Sequence, residues 1–303
     1  MVADRNGGLW PAGGMRLSNG EVLVAAYSER SKGQSRKTGG VFGQKVGKNE
    51  PLSDRVSLDQ SAPERLEYGG LLVLKDKRGL SYWQDLSKGS LAGARFIAAD
   101  GTLAPDAIDL RRPNSFLTDI KPYETGFIAS FIEQKRGDLI LKIAYQIFDG
   151  SGRPAGPLRE VLDPPPYWTS IYSRMVGLND GGILILQPIQ EDGGLILKGQ
   201  VLNGDWSVRK QFKKILDLNF MYFQVVALPG GDFAVGTATR DQRGTLGFDI
   251  TRFTPALDRV GDTARIQNVR NYYDTNMIAL ETGKILAITQ TSSQPVIGQL
   301  IEP

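Results

Sequence analysis

The sequence predicts an all-β chain folded as a six-bladed β-propeller, with five or seven blades as the alternatives. Three observations carry that expectation. A pattern of apolar residue, polar Gly turn and apolar strand recurs at roughly 50-residue intervals, the spacing of four-stranded blades with generous loops. Glycine is abundant at 36 and proline adds 16 in 303 residues. Long apolar stretches with a helical period are hard to find, so the chain reads as many short strands joined by turns. One closed β domain spanning residues 1–303 accommodates this length.

The repeat is built from hairpins. Leu17-Ser-Asn-Gly20 leads into Val22–Ala26, Leu178-Asn-Asp-Gly181 into Ile183–Leu186, Leu228-Pro-Gly-Gly231 into Phe233–Gly236, and Leu280-Glu-Thr-Gly283 into Ile285–Ile288. Tyr123-Glu-Thr-Gly126 before Phe127–Phe131 is a fifth copy. Asp76-Lys-Arg-Gly79 before Leu80–Trp83 is a sixth, whose register is the least regular and where Leu71–Leu74 competes as a strand.

Third strands follow at Gly40–Val46, Ala92–Ile97, Leu139–Phe148, Leu195–Leu202, Gly247–Phe253 and Pro295–Ile301. Several close on turns such as Asp100-Gly101 and Asp149-Gly150, where Gly relieves the steric cost of positive φ. Short outermost strands are expected at Arg55–Leu58, Ala107–Leu110, Arg159–Leu162, Gln211–Leu216 and Thr263–Ile266. Charges such as Arg209, Lys213 and Lys214 there suit edges that must resist pairing with other molecules. The sixth unit reaches Pro303 after its third strand, and Met1–Arg5 is the segment expected to supply a fourth.

Segments such as Leu17–Ser57 and Met175–Gly204, with Leu-Ser-Asn-Gly-Glu-Val-Leu-Val-Ala-Ala-Tyr followed by Gly-Val-Phe-Gly-Gln-Lys-Val, resemble the propeller repeats of large bacterial surface proteins and some phage particle proteins. The resemblance covers most of the chain and implies a virion or cell-surface setting and a place in a larger assembly. Its motifs speak to fold more than to function.

Composition narrows the chemistry. Cysteine and histidine are both absent, which removes disulfides, thiol chemistry, the serine triad and the usual ligands of zinc, copper and haem. No phosphate loop is present, and the Asp-Gly turns lack the alternating carboxylates of a calcium loop. No cofactor and no metal are expected. The 36 basic and 33 acidic residues are interspersed, so neither nucleic acid nor membrane insertion is implied. Arg30, Lys32, Arg36 and Lys37 read as a solvated loop. No apolar run reaches the roughly 18 residues of a spanning helix, and no signal peptide is visible at Met1–Asn6.

These features favour a non-catalytic binding or structural module recognising a glycan or a protein partner. The alternative is a sialidase-like carbohydrate-active enzyme working with Tyr, Glu, Asp and Arg, although the Ser-x-Asp-x-Gly-x-x-Trp turn of such enzymes is absent. Catalytic residues are therefore not assigned.

A ligand site is expected where the innermost strands begin. Trp168, Tyr172, Tyr222, Tyr272, Tyr273 and Asp274 fall there, with Asn271 and Asn276 as polar partners. Aromatic faces stack on sugar C–H groups while amides and carboxylates grip hydroxyls. Aromatic capping of the core is the competing reading of the same positions. Trp10, Trp83, Trp168 and Trp206 fall near strand ends or turns, which suits either role, and Pro164-Pro-Pro166 reads as a stiff interblade link.

Overall fold

The computed structural model describes residues 9–28, 40–46, 56–58, 66–85, 91–134, 141–160, 173–241, 243–269, 275–289 and 297–302. The fold is a six-bladed β-propeller of six small antiparallel sheets. Blade 1 comprises β1 (Leu9–Arg16), β2 (Val22–Ser28), β3 (Gly40–Val46) and β4 (Val56–Ser57), and blade 2 comprises β5 (Leu66–Val73), β6 (Gly79–Asp85), β7 (Leu91–Ile97) and β8 (Ile108–Asp109). Blade 3 is β9 (Ser115–Tyr123), β10 (Gly126–Gln134), β11 (Leu141–Phe148) and β12 (Arg159–Glu160). Blade 4 is β13 (Arg174–Gly177), β14 (Ile183–Glu191), β15 (Gly194–Leu202) and β16 (Val208–Asp217). Blade 5 is β17 (Phe223–Ala227), β18 (Phe233–Arg240), β19 (Leu246–Phe253) and β20 (Arg259–Gln267). Blade 6 has three described strands, β21 (Asn276–Ala279), β22 (Ile285–Thr289) and β23 (Ile297–Ile301). The segment expected to complete it, Met1–Arg5, lies outside the described residues.

Within the described residues each strand signal read from the sequence coincides with a strand of the matching rank, and Leu71–Val73 proves to be part of β5, the first strand of blade 2. Two outermost strands are longer than expected. β16 runs for 10 residues and β20 for 9, both largely exposed, with Ile215 and Leu216 of β16 and Ile266 of β20 turned to the cores.

The chain divides into two compact units, Met1–Asp138 with Lys142–Val161, and Leu139–Leu141 with Leu162–Pro303. In the first, Met15, Leu17, Leu23, Val41, Leu71, Trp83 and Ile97 form one core from blades 1 and 2. Leu80, Leu117, Ile120, Phe127 and Phe131 form another from blades 2 and 3, where Phe127 stacks on Phe148 at 4.7 Å. In the second unit one core joins blades 4 and 5 through Leu184, Leu186, Phe223, Phe233 and Phe253, and another joins blades 5 and 6 through Phe248, Ile250, Met277 and Ile285. Each such side chain contributes about 1.5–3 kcal/mol when taken out of water. Within each unit the cores thus lie between consecutive sheets, so each blade buries its faces against a neighbour.

Trp83 departs from its expected place. It sits inside β6, 4% exposed, with its ring over Gly93, where a Cβ would meet it at 2.6 Å. It is a core residue. Trp206 is half-buried in the turn between β15 and β16 at φ 70°.

That turn belongs to a recurring unit. Among the described residues ten five-residue turns share one pattern, with the first residue's N–H donating to the fifth residue's carbonyl and the fourth residue's N–H to the first residue's carbonyl. Leu17–Glu21, Leu178–Gly182 and Asn203–Ser207 are examples. The fourth residue always has positive φ, and in most copies it is Gly, as at Gly20, Gly181, Gly231 and Gly283. In blade 2 the left-handed residue is Lys77 rather than Gly79, and blade 3 places Glu124 there in a shorter turn instead of Gly126. Similarly Gly152, not Gly150, carries the positive φ after Asp149. An Asx carboxylate or amide often caps the turn, as when Asp205 Oδ1 accepts from Ser207 N at 2.9 Å.

Candidate functional site

Of the six site residues expected from the sequence, the structure describes one. Trp168, Tyr172, Tyr272, Tyr273 and Asp274 lie outside the described residues, as does Asn271. Tyr222 is half-buried immediately before β17 and packs against the core of blades 5 and 6. Its hydroxyl donates to the Thr275 carbonyl at 3.3 Å and accepts from Gln224 Nε2 at 2.6 Å.

Gln224 organises this region. It projects from the Phe-Gln-Val-Val-Ala strand β17, where alternation leaves one polar position among apolar ones. Its Nε2 donates to the Thr275 carbonyl, and its Oε1 accepts from Met277 N at 2.9 Å. Asn276 Oδ1 lies 3.4 Å from the same nitrogen, and Asn276 is exposed. Below it the buried hydroxyls of Thr275 and Thr289 meet at 2.9 Å. Half-buried Arg174 opens β13, the first strand of blade 4, and donates to the Ser173 carbonyl at 3.0 Å. The starts of β17 and β21 therefore present amides, a phenol and backbone carbonyls, a surface of donors and acceptors.

A second concavity lies in the first unit. A cleft of about 380 Å³ is lined by Asn19, Glu21, Lys45, Val56, Leu58 and Leu103, among others. Lys45 Nζ and Glu21 Oε2 face each other at 3.8 Å across it. At its rim the backbone N–H and side chain of Thr102 hold the Asp100 carboxyl below the usual carboxylate range, with Lys45 adding a smaller effect.

The fully buried Tyr145 phenol in β11 is pushed up, first by burial and then by the Asp119 charge, which is opposite to the shift a tyrosine nucleophile requires. Among the described residues no group of three or more Asp and Glu could hold a metal ion.

No family model matches the chain, and no curated protein matches it. Solved structures do. The β-propeller domain of the trilobed protease from Pyrococcus furiosus aligns over 97% of this chain and 81% of its own with TM-score 0.55 and 12% identity. Kuenenia stuttgartiensis hydrazine synthase aligns over 96% of this chain and 76% of its own, with TM-score 0.53 and 14% identity. A puromycin hydrolase gives TM-score 0.53 at 14% identity over 95% of this chain, which spans only 43% of that protein. At such identities the likeness carries the propeller fold alone.

Sequence reasoning missed Gln224, Arg174 and the Glu21–Lys45 cleft. Gln224 had a local signal, a lone amide inside an apolar strand. The cleft had none, because Lys45 reaches Glu21 from β3.

Proposed function

We propose that this propeller is a non-catalytic binding module whose ligand is a glycan, bound where the innermost strands of blades 4 to 6 begin. The observation that carries this reading is the Tyr222–Gln224–Asn276 network at the starts of β17 and β21. Hydroxyl-rich ligands are gripped by such convergent amides and phenols. By sequence position Trp168, Tyr172, Tyr272 and Tyr273 are the candidates for stacking on sugar C–H faces, and Asp274 for accepting from hydroxyls. The resemblance to surface and phage-particle repeats supports a role within a larger assembly.

A glycan array with the purified chain, repeated with Asn276→Ala and with Tyr272→Ala/Tyr273→Ala, tests the reading. Binding to a defined glycan set that both variants lose at unchanged melting temperature is expected. Release of a free sugar from that set, or retention only of a nucleic acid in a salt-sensitive manner, overturns it.

A further inference from the structure

Two described turns carry the dipeptide Asn-Gly, Asn19-Gly20 and Asn203-Gly204, and both dipeptides are exposed. Their backbones are held differently. Asn19 is the third residue of its turn: Gly20 N donates to the Leu17 carbonyl at 2.9 Å, and Asn19 Oδ1 accepts from Glu21 N at 3.0 Å. Asn203 is the first residue of its turn, with its own N–H and carbonyl closing the loop to Ser207 and Trp206. Gly204 N is not among the backbone donors of the described residues. The Asn203 side chain is tied only through Nδ2, which donates to Ser207 Oγ at 2.9 Å, and that hydroxyl donates onward to Asp205 Oδ1 at 2.6 Å.

We propose that Asn203 is a self-modification site, converting to aspartate and isoaspartate in the folded protein while Asn19 is protected. The Gly204 nitrogen, losing its proton to base, attacks Asn203 Cγ. The Cγ–Nδ2 bond breaks, Nδ2 leaves as ammonia after taking up a proton, and a five-membered succinimide remains. Water then opens either carbonyl, giving an α- or β-linked aspartyl residue. No oxidant or cofactor enters.

At Asn19 the attacking nitrogen is already spent on Leu17, and cyclisation also requires the Glu21 bond to break. At Asn203 only the Ser207 contact resists. One extra peptide hydrogen bond is worth about 1 kcal/mol, so native-state cyclisation at Asn203 should run about fivefold faster than at Asn19. The product matters to the fold, because a β-linkage inserts a methylene at the residue whose N–H and C=O close the turn carrying Trp206 at positive φ.

The test is peptide mapping by mass spectrometry after prolonged incubation of the folded chain at mildly alkaline pH, with a parallel sample in urea. Expected results are the about fivefold preference for Asn203 in the folded chain, near equality in urea, and faster reaction at Asn203 in Ser207→Ala. Equal or faster reaction at Asn19 in the folded chain, or a preference for Asn203 that persists unchanged in urea, overturns the proposal.

Discussion

The junction of blades 2 and 3 and the junction of blades 5 and 6 use the same group to fasten one sheet to the next, in different surroundings. In the first, Gln84 of β6 is 4% exposed, and its amide lies against the Leu117 backbone of β9, Nε2 at 2.7 Å from the carbonyl and Oε1 at 3.3 Å from the N–H. In the second, Gln224 of β17 makes the same two-pronged contact with β21, at the Thr275 carbonyl and Met277 N. A primary amide carries the donor and acceptor of a peptide group, so it can continue a backbone ladder across a gap between sheets. The difference is water. Gln84 is buried, whereas half-buried Gln224 has Tyr222 and exposed Asn276 beside it and solvent within reach. The same device is sealed from water at one junction and open to it at the other.

The largest effect should come from Gln84→Ala, which removes a buried amide together with its contacts to the Leu117 backbone and should lower stability by about 2–3 kcal/mol in chemical denaturation. Next is Gly236→Ala. A Cβ there meets the Phe248 ring at 2.4 Å and Met277 Sδ at 2.6 Å, and overpacking of this kind costs about 1–3 kcal/mol. If Gly236→Ala is neutral by thermal melting, the blade 5 to 6 junction is looser than its packing implies. Gln224→Ala should cost about 1 kcal/mol or less, because water can replace the lost partner. A loss equal to that of Gln84→Ala would break the contrast.

The smallest effect concerns pH. Both clamps are uncharged, so acid sensitivity must come from elsewhere, in particular from turn carboxylates. Asp149 is held below its ordinary value by the Ser151 hydroxyl and the Arg153 and Ser151 N–H groups, and Asp205 by the Ser207 hydroxyl and N–H. A depressed folded value means that their contribution is complete above the unfolded value of about 3.9 and is lost as pH falls through the lower folded value. Melting temperature below about pH 4 should therefore fall less steeply in Asp149→Asn/Asp205→Asn than in the parent, while Gln84→Ala should shift the whole curve without changing that slope.

The sequence revealed the blades because their hairpins announce themselves. Leu-x-x-Gly before an apolar strand encodes both a left-handed turn residue and a buried ladder, and four of the six anchors fall where φ is positive. Lys77 and Glu124 were not readable, since a left-handed lysine or glutamate leaves no mark when the neighbouring Gly79 and Gly126 attract the eye. The length of β16 and β20 was hidden too. β16 and β20 turn only a few residues inward, Ile215 and Leu216 in one and Ala264 and Ile266 in the other, and so lack the sustained alternation that marks a strand packed against a core along its length. The clamps were illegible for a different reason: whether Gln84 meets Leu117 depends on two sheets being stacked, which no local window contains. Of the site, Tyr222 was placed by its position before β17, but its partners were not, because a hydroxyl's bond to Thr275 spans an entire repeat.

The ten turns hold one hydrogen-bond pattern while their left-handed residue ranges over glycine, lysine, tryptophan and leucine. Leu257 shows how the cost is offset: at φ 67° it is only 2% exposed and packs into the core of blades 4 and 5. A fold whose corners constrain a dihedral angle more tightly than a residue type stores its design in geometry. Its repeats can drift apart letter by letter while the backbone stays in place, and likeness between such chains survives in shape long after it has faded from spelling.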